Sequence, residues 1–312
     1  MSYERISPAA RGPLHNRETI MRHSTLKAIF IFPAILILAA SSQAQSRHQK
    51  VKAFVSIPPQ AYLVERVGGQ FVDVKVLVGP GQSPATYEPT PKQMSELGRS
   101  QLYFRIGVPF EKSFISKISD VFKYLKIIDT RKGIQLRRFQ HTGLPQVPDP
   151  HIWLDPKLVM IQARTVCDAL IQGDPAHEQE YKANLKGFLD DLIRVDAKIA
   201  QMLAPLRGTK FYVFHPAFGY FGDSYGLTQV AVEIEGKEPS AKQLTDIINR
   251  AKKDKVKVIF VQQQFAKKVA RTLAEAIGGT LVPLDPLARD YLKNLEDIAA
   301  NLKKALLDGK KE

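Results

Sequence analysis

Between residues 51 and 306 the sequence alternates short β-branched runs with amphipathic helical stretches, and one long helical stretch interrupts that alternation. No other feature restricts the fold as much, because alternating strand and helix signals call for parallel sheets covered by helices. Val51–Ser56, Val72–Val78, Leu102–Ile106 and Leu125–Ile128 read as strands of a first half, and Lys210–Phe214, Val256–Val261 and Thr280–Leu284 as strands of a second. Pro58-Pro59 opens a helix that Gly68-Gly69 ends. Thr90-Pro91-Lys92-Gln93 and Ser240-Ala241-Lys242-Gln243 have capping-box chemistry, and Asp155-Pro156 pairs an N-cap with a proline at the first helical position.

The interruption begins at Asp174-Pro175, which reads as a helix cap. It carries Tyr181, Leu185, Phe188, Leu189, Leu192, Ile199 and Leu203 at close to helical period before Pro205 and Gly208. About thirty residues at about 1.5 Å each span about 45 Å, the size of a whole domain. The expected fold is therefore α/β: two Rossmann-like lobes with parallel sheets, joined by one long rigid helix. The expected boundaries are an N-terminal extension over 1–44, a lobe over 45–173, the connecting helix over 174–207 and a lobe over 208–312.

The extension has its own signature. From Met21 the chain runs through Arg22 and Lys27 into an apolar stretch, Ala28 to Ala40, and then Ser42-Gln43-Ala44. A positive region, a short apolar run and small residues make a secretory signal cut near Ala44, too short for a comfortable membrane span. Residues before Met21 have no such pattern, so Met21 is the expected start, and no cysteine follows the apolar run to carry a lipid. The expected location is the periplasm.

Residues 1–44 hold five Lys/Arg and two Asp/Glu, so the net charge of +14 falls to about +11 on their removal. The positive residues are spread over helix faces, without RNP-type aromatics or a basic arm, and no nucleic-acid partner is expected. The single cysteine, Cys167, excludes an intramolecular disulfide and reads as a small buried hydrophobe within a helix.

The chemistry has to come from convergence, since the seven histidines form no CxxC or HExxH pattern. Asp149-Pro150-His151-Ile152-Trp153-Leu154-Asp155-Pro156 holds the chain's one tryptophan and sets His151 in a stiff loop just before a helix. His215 and Asp285 follow directly on second-half strands, where open parallel sheets bind ligands. Two imidazoles and a carboxylate from three separate segments make a candidate site for a divalent transition metal in the cleft between lobes.

Six segments together, SPATYEPTP (83–91), DPHIWLDP (149–156), FHPAFGYF (214–221), EGKEPS (235–240), FVQQQF (260–265) and DPLARDY (285–291), resemble the cluster A-I family of solute-binding proteins. That family serves ABC importers of zinc, manganese and iron, and the resemblance runs from about Val51 to the C-terminus. It implies two α/β lobes bridged by a long helix, a membrane permease and its ATPase as partners, and a monomer that is not an enzyme. Residue by residue, His151 and His215 match the family's imidazole ligands and Asp285 its carboxylate ligand. Ala85 stands where the family usually has a further His. Water, Glu88 or one of Gln262, Gln263 and Gln264 then fills the place, or the protein binds metal weakly or as a complex; three protein ligands plus water is the favoured outcome.

His141 reads as a solvated loop residue, and Glu235 and Glu238 as groups that hold their loop by hydrogen bonds. His at position 215 leans the cargo toward Zn2+, with Mn2+ and Fe2+ as alternatives. Two readings from other classes stand beside the importer: a metal-dependent hydrolase using an open His2Asp–water site, and a surface adhesin.

Overall fold

The computed structural model describes residues 49–139, 147–233, 238–264 and 267–308. Residues 1–48, where the signal peptide is expected, lie outside them, as do His141 and Glu235. In the first half, β1 (Val51–Val55), α1 (Pro58–Gly68), β2 (Val72–Val76), α2 (Pro91–Leu97), β3 (Leu102–Arg105), α3 (Glu111–Val121) and β4 (Lys126–Asp129) form a parallel sheet ordered β2-β1-β3-β4. Val51 pairs with Val72, Ala53 with Leu102, and Leu102 with Lys126. After α4 (Pro156–Gly173) and α5 (Glu178–Leu203) the topology repeats. β5 (Lys210–Val213), α6 (Gly219–Tyr225), β6 (Thr228–Ala231), α7 (Ala241–Lys253), β7 (Val258–Val261), α8 (Lys267–Ala276), β8 (Thr280–Pro283) and α9 (Tyr291–Asp308) give the order β6-β5-β7-β8. Helices α3 and α6 and strand β6 are elements that the sequence reading did not name.

Local chemistry sets most boundaries. The Thr90 hydroxyl accepts from Gln93 N while Gln93 Oε1 accepts from Thr90 N at 2.9 Å, and Ser240 and Gln243 repeat the arrangement. Asp155 Oδ1 accepts from Lys157 N at 2.9 Å with Pro156 at the first helical position. Gly69, at φ 56°, ends α1 in a conformation that a side chain would strain.

The long helix departs from expectation at its start. Asp174 spends its carboxylate on side chains, accepting from His177 Nδ1 at 2.6 Å and Tyr181 Oη at 2.7 Å. Pro175–His177 is consequently a 3-10 turn, and the α-helix begins at Glu178. Its 26 residues are about 39 Å long. It packs against α1, α4 and α9, burying Tyr181, Phe188, Leu192, Val195, Ile199 and Leu203. One continuous core runs from the first sheet through α5 to Phe211, Val213 and Phe260 of the second, while α7 and α8 cover a smaller core on that sheet's other face. Among the described residues no helix is long and apolar enough to cross a membrane.

Strand order reverses between β1 and β3 and between β5 and β7, opening a crevice beyond the carboxyl ends of each pair. The first crevice is filled from within. Glu111, fully buried, accepts from Ile106 N at 2.9 Å and Gly107 N at 2.7 Å and bonds the Ser56 hydroxyl, while burial pushes its pKa up. The second crevice holds a histidine.

Candidate metal centre

His215 lies two residues beyond β5, where its backbone is gripped from β7: His215 N donates to Gln262 Oε1 at 3.1 Å and Gln262 Nε2 donates to His215 O at 3.0 Å. Both amide atoms of Gln262 are thereby engaged by the His215 backbone. The ring is aimed by Glu233, just past β6, whose Oε2 is 2.9 Å from His215 Nδ1. Glu233 is 3% exposed, and a carboxylate so deep needs a hydrogen-bonded partner. A carboxylate on Nδ1 holds the proton there and turns the Nε2 lone pair toward the cleft.

His151 is aimed by the same device. Asp149 Oδ1 accepts from both His151 N (3.0 Å) and His151 Nδ1 (2.7 Å). The 3-10 turn Ile152–Leu154 follows, and Trp153 packs beside the imidazole with ring centroids 5.0 Å apart. Burial lowers the His151 pKa, against the opposing pull of Asp149. The two rings meet across the cleft with Nε2 atoms 3.3 Å apart and centroids 5.1 Å apart. Two facing lone pairs at that distance repel one another unless a proton or a cation sits between them.

Asp285 is close in the chain's path but is not joined to the pair. It follows β8, is half-buried, and accepts from Leu287 N at 2.9 Å, while its carbonyl accepts from Asn294. The Trp153 indole donates to Pro286 O at 2.7 Å and so ties the His151 turn to the Asp285 turn. Among the described residues no group of three or more His, Cys, Asp or Glu has metal-holding geometry. Ala85 and Glu88 are exposed on the loop before α2, and Gln263 is exposed beyond β7.

Sequence reasoning missed Asp149 and Glu233 as orienting groups, and Arg137 with them. Asp149 had a signal, since an Asp two residues before a histidine across a proline can fold back onto it. Glu233, eighteen positions from His215, had none. Glu233→Gln is expected to lower metal affinity about 10- to 100-fold with little loss of folded protein. The amide can donate to Nδ1 and so favour the tautomer whose Nε2 is blocked; titration with Zn2+ reads the effect.

The chain matches the zinc-uptake complex component A, periplasmic (ZnuA) family over residues 54–305. A solved crystal structure of ZnuA superposes with a TM-score of 0.78 at 39% identity, covering 82% of this chain and 99% of that one. The high-affinity zinc uptake system protein ZnuA of Bacillus subtilis is 28% identical over 290 residues, 83% of this chain and 88% of the relative. A putative metal-binding protein of Chlamydia trachomatis is 29% identical over 248 residues, 78% and 88% of the respective chains. With this span and this pair of parallel sheets, the chain belongs to the ZnuA family, whose members are extracytoplasmic substrate-binding transport proteins and not enzymes.

Proposed function

We propose that this protein captures a divalent transition metal ion, Zn2+ before Mn2+ or Fe2+, between His151 and His215 and delivers it to a membrane permease driven by an ATPase. The observation that carries the reading is the 3.3 Å between the two Nε2 atoms. Two nitrogens at about 2.0–2.1 Å from a tetrahedral Zn2+ lie about 3.3–3.4 Å apart, so the imidazoles already span one edge of the coordination polyhedron. Carboxylates on both Nδ1 atoms favour the tautomers a metal needs. Asp285 is the third protein donor in this reading, brought in from the turn that Trp153 anchors, and water takes the fourth place because Ala85 has no donor atom.

The protein acts as a monomer in the periplasm, exported by a signal cut near Ala44 in a chain that starts at Met21. The lobes over 45–173 and 208–312, joined through 174–207, move little against one another, since a core continuous through α5 opposes a wide hinge. The hydrolase and adhesin readings are not favoured, because the family binds and transports its substrate.

Chelator-competition titration of the chain from residue 45 tests this, with one Zn2+ bound per molecule expected. Protons compete for Nε2, so affinity falls as pH falls through the imidazole range. Because burial depresses the His151 pKa, His151 remains able to bind metal at a lower pH than an exposed imidazole would. Affinity at pH 5 equal to that at pH 7.5 contradicts a histidine site.

A further inference from the structure

Behind His151 a second set of contacts ties the two halves together. Arg137, on the segment after β4, donates from Nη1 to Asp149 Oδ2 at 3.2 Å and pairs through Nε with Asp223 Oδ2 of α6 at 3.1 Å. Its backbone N donates to Tyr220 Oη at 2.9 Å, and that hydroxyl donates to Asp149 O at 2.9 Å. The guanidinium carbon lies 5.8 Å from the centre of the Tyr220 ring, within cation–π range. Asp149 is fully buried, so its two oxygens are divided between Arg137 and His151. Gly219 leaves the space: a Cβ there would fall 1.3 Å from Arg137 Nη1.

We propose that Arg137 is a positioning residue that clamps α6 to the Asp149 carboxylate and thereby fixes the His151 ring against His215, setting how long the cargo metal stays bound. The clamp rests on the metal-capture reading and goes beyond it by assigning the rate of release to a group that does not touch the metal. The path is short. Arg137 holds one oxygen of Asp149, the other holds the imidazole by its Nδ1, and Asp223 and Tyr220 anchor Arg137 to the half of the molecule that carries His215. If the guanidinium withdraws, Asp149 is free to turn, and the two Nε2 atoms lose their fixed separation. A planar guanidinium fork serves both carboxylates at once in a way a lysine ammonium does not.

Two substitutions reach the clamp from opposite sides. Arg137→Gln removes the guanidinium, and Gly219→Ala keeps it but takes its place. In stopped-flow release of Zn2+ to excess chelator, each is expected to speed dissociation about tenfold, the lower end of what loss of an outer-shell partner costs. Because both act on one contact, the double variant should be no faster than the singles. The visible absorption of the Co2+-loaded variants should change band shape, since His151 is no longer held, and the thermal midpoint of the metal-free protein falls as well, because buried Asp149 loses its guanidinium partner. Wild-type release rates and an unchanged Co2+ spectrum in folded, metal-binding Arg137→Gln overturn the clamp and leave metal capture standing. A lowered midpoint with those two readouts unchanged does the same, making Arg137 structural only. A wild-type protein that binds neither Zn2+ nor Co2+ overturns both.

Discussion

His215→Ala is expected to lose Zn2+ affinity by on the order of a thousandfold or more, beyond the 10- to 100-fold that follows loss of an outer-shell group. In the proposed site the substitution removes one of the two nitrogens that span the coordination edge, and among the described residues neither Gln262 nor Gln263 stands in for it. Gln262 is held by the His215 backbone on both amide atoms, and Gln263 is exposed. It also strips Glu233 of its imidazole, leaving a carboxylate 3% exposed without that partner, which destabilises the metal-free protein as well. His215→Gln separates the two losses, because a side-chain amide can still donate to Glu233 while supplying no imidazole. Calorimetric titration beside a denaturation curve reads both quantities. His151→Ala should match the loss of affinity, with Asp149 still held by Arg137.

The second large effect concerns the helix on which both halves rest. Phe188, in the middle of α5, is fully buried, meets Tyr62 edge-on at 6.1 Å between centroids, and lies under the Arg66 guanidinium at 4.9 Å. Truncating such a ring removes its transfer free energy and leaves a cavity that close-packed neighbours cannot fill. Phe188→Ala is expected to destabilise the protein by about 3–5 kcal/mol, measured as a lower urea midpoint with an unchanged slope. A single transition over both halves is expected, because the core they share runs through this helix. Two separated transitions would show that the halves fold independently and that α5 is a tether and not a common wall.

What could be read from the sequence was whatever neighbouring residues decide among themselves. The capping boxes at Thr90 and Ser240, the proline-led starts of α1 and α4, and the buried face from Tyr181 to Leu203 all depend on residues within a few turns of each other, and the structure has each of them, with Val195 added to that face and Leu185 and Leu189 only partly buried. Asp174 was misread because a Ser/Thr/Asp/Asn before a helix looks like a cap whether its oxygens face backbone or side chains; here His177 and Tyr181 outcompete the backbone. The candidate histidines were legible from their places at a strand end and in a proline-stiffened loop. Their partnership with Glu233, Asp149 and Arg137 was not, because it is made by β6 lying beside β5 and by Tyr220 and Asp223 of α6 meeting Arg137 and Asp149. Gln262 shows the same boundary: a polar residue after a buried strand was expected near the site, and only the structure shows its two bonds to the His215 backbone.

The most direct test of the central claim is Zn K-edge X-ray absorption on the protein loaded with one equivalent of Zn2+. The account predicts a first shell of nitrogen and oxygen near 2.0–2.1 Å with the outer-shell scattering of two imidazoles, reduced to one in His151→Ala. A zinc shell without imidazole scattering, or one that His151→Ala and His215→Ala leave unchanged, contradicts a cargo site between these two residues.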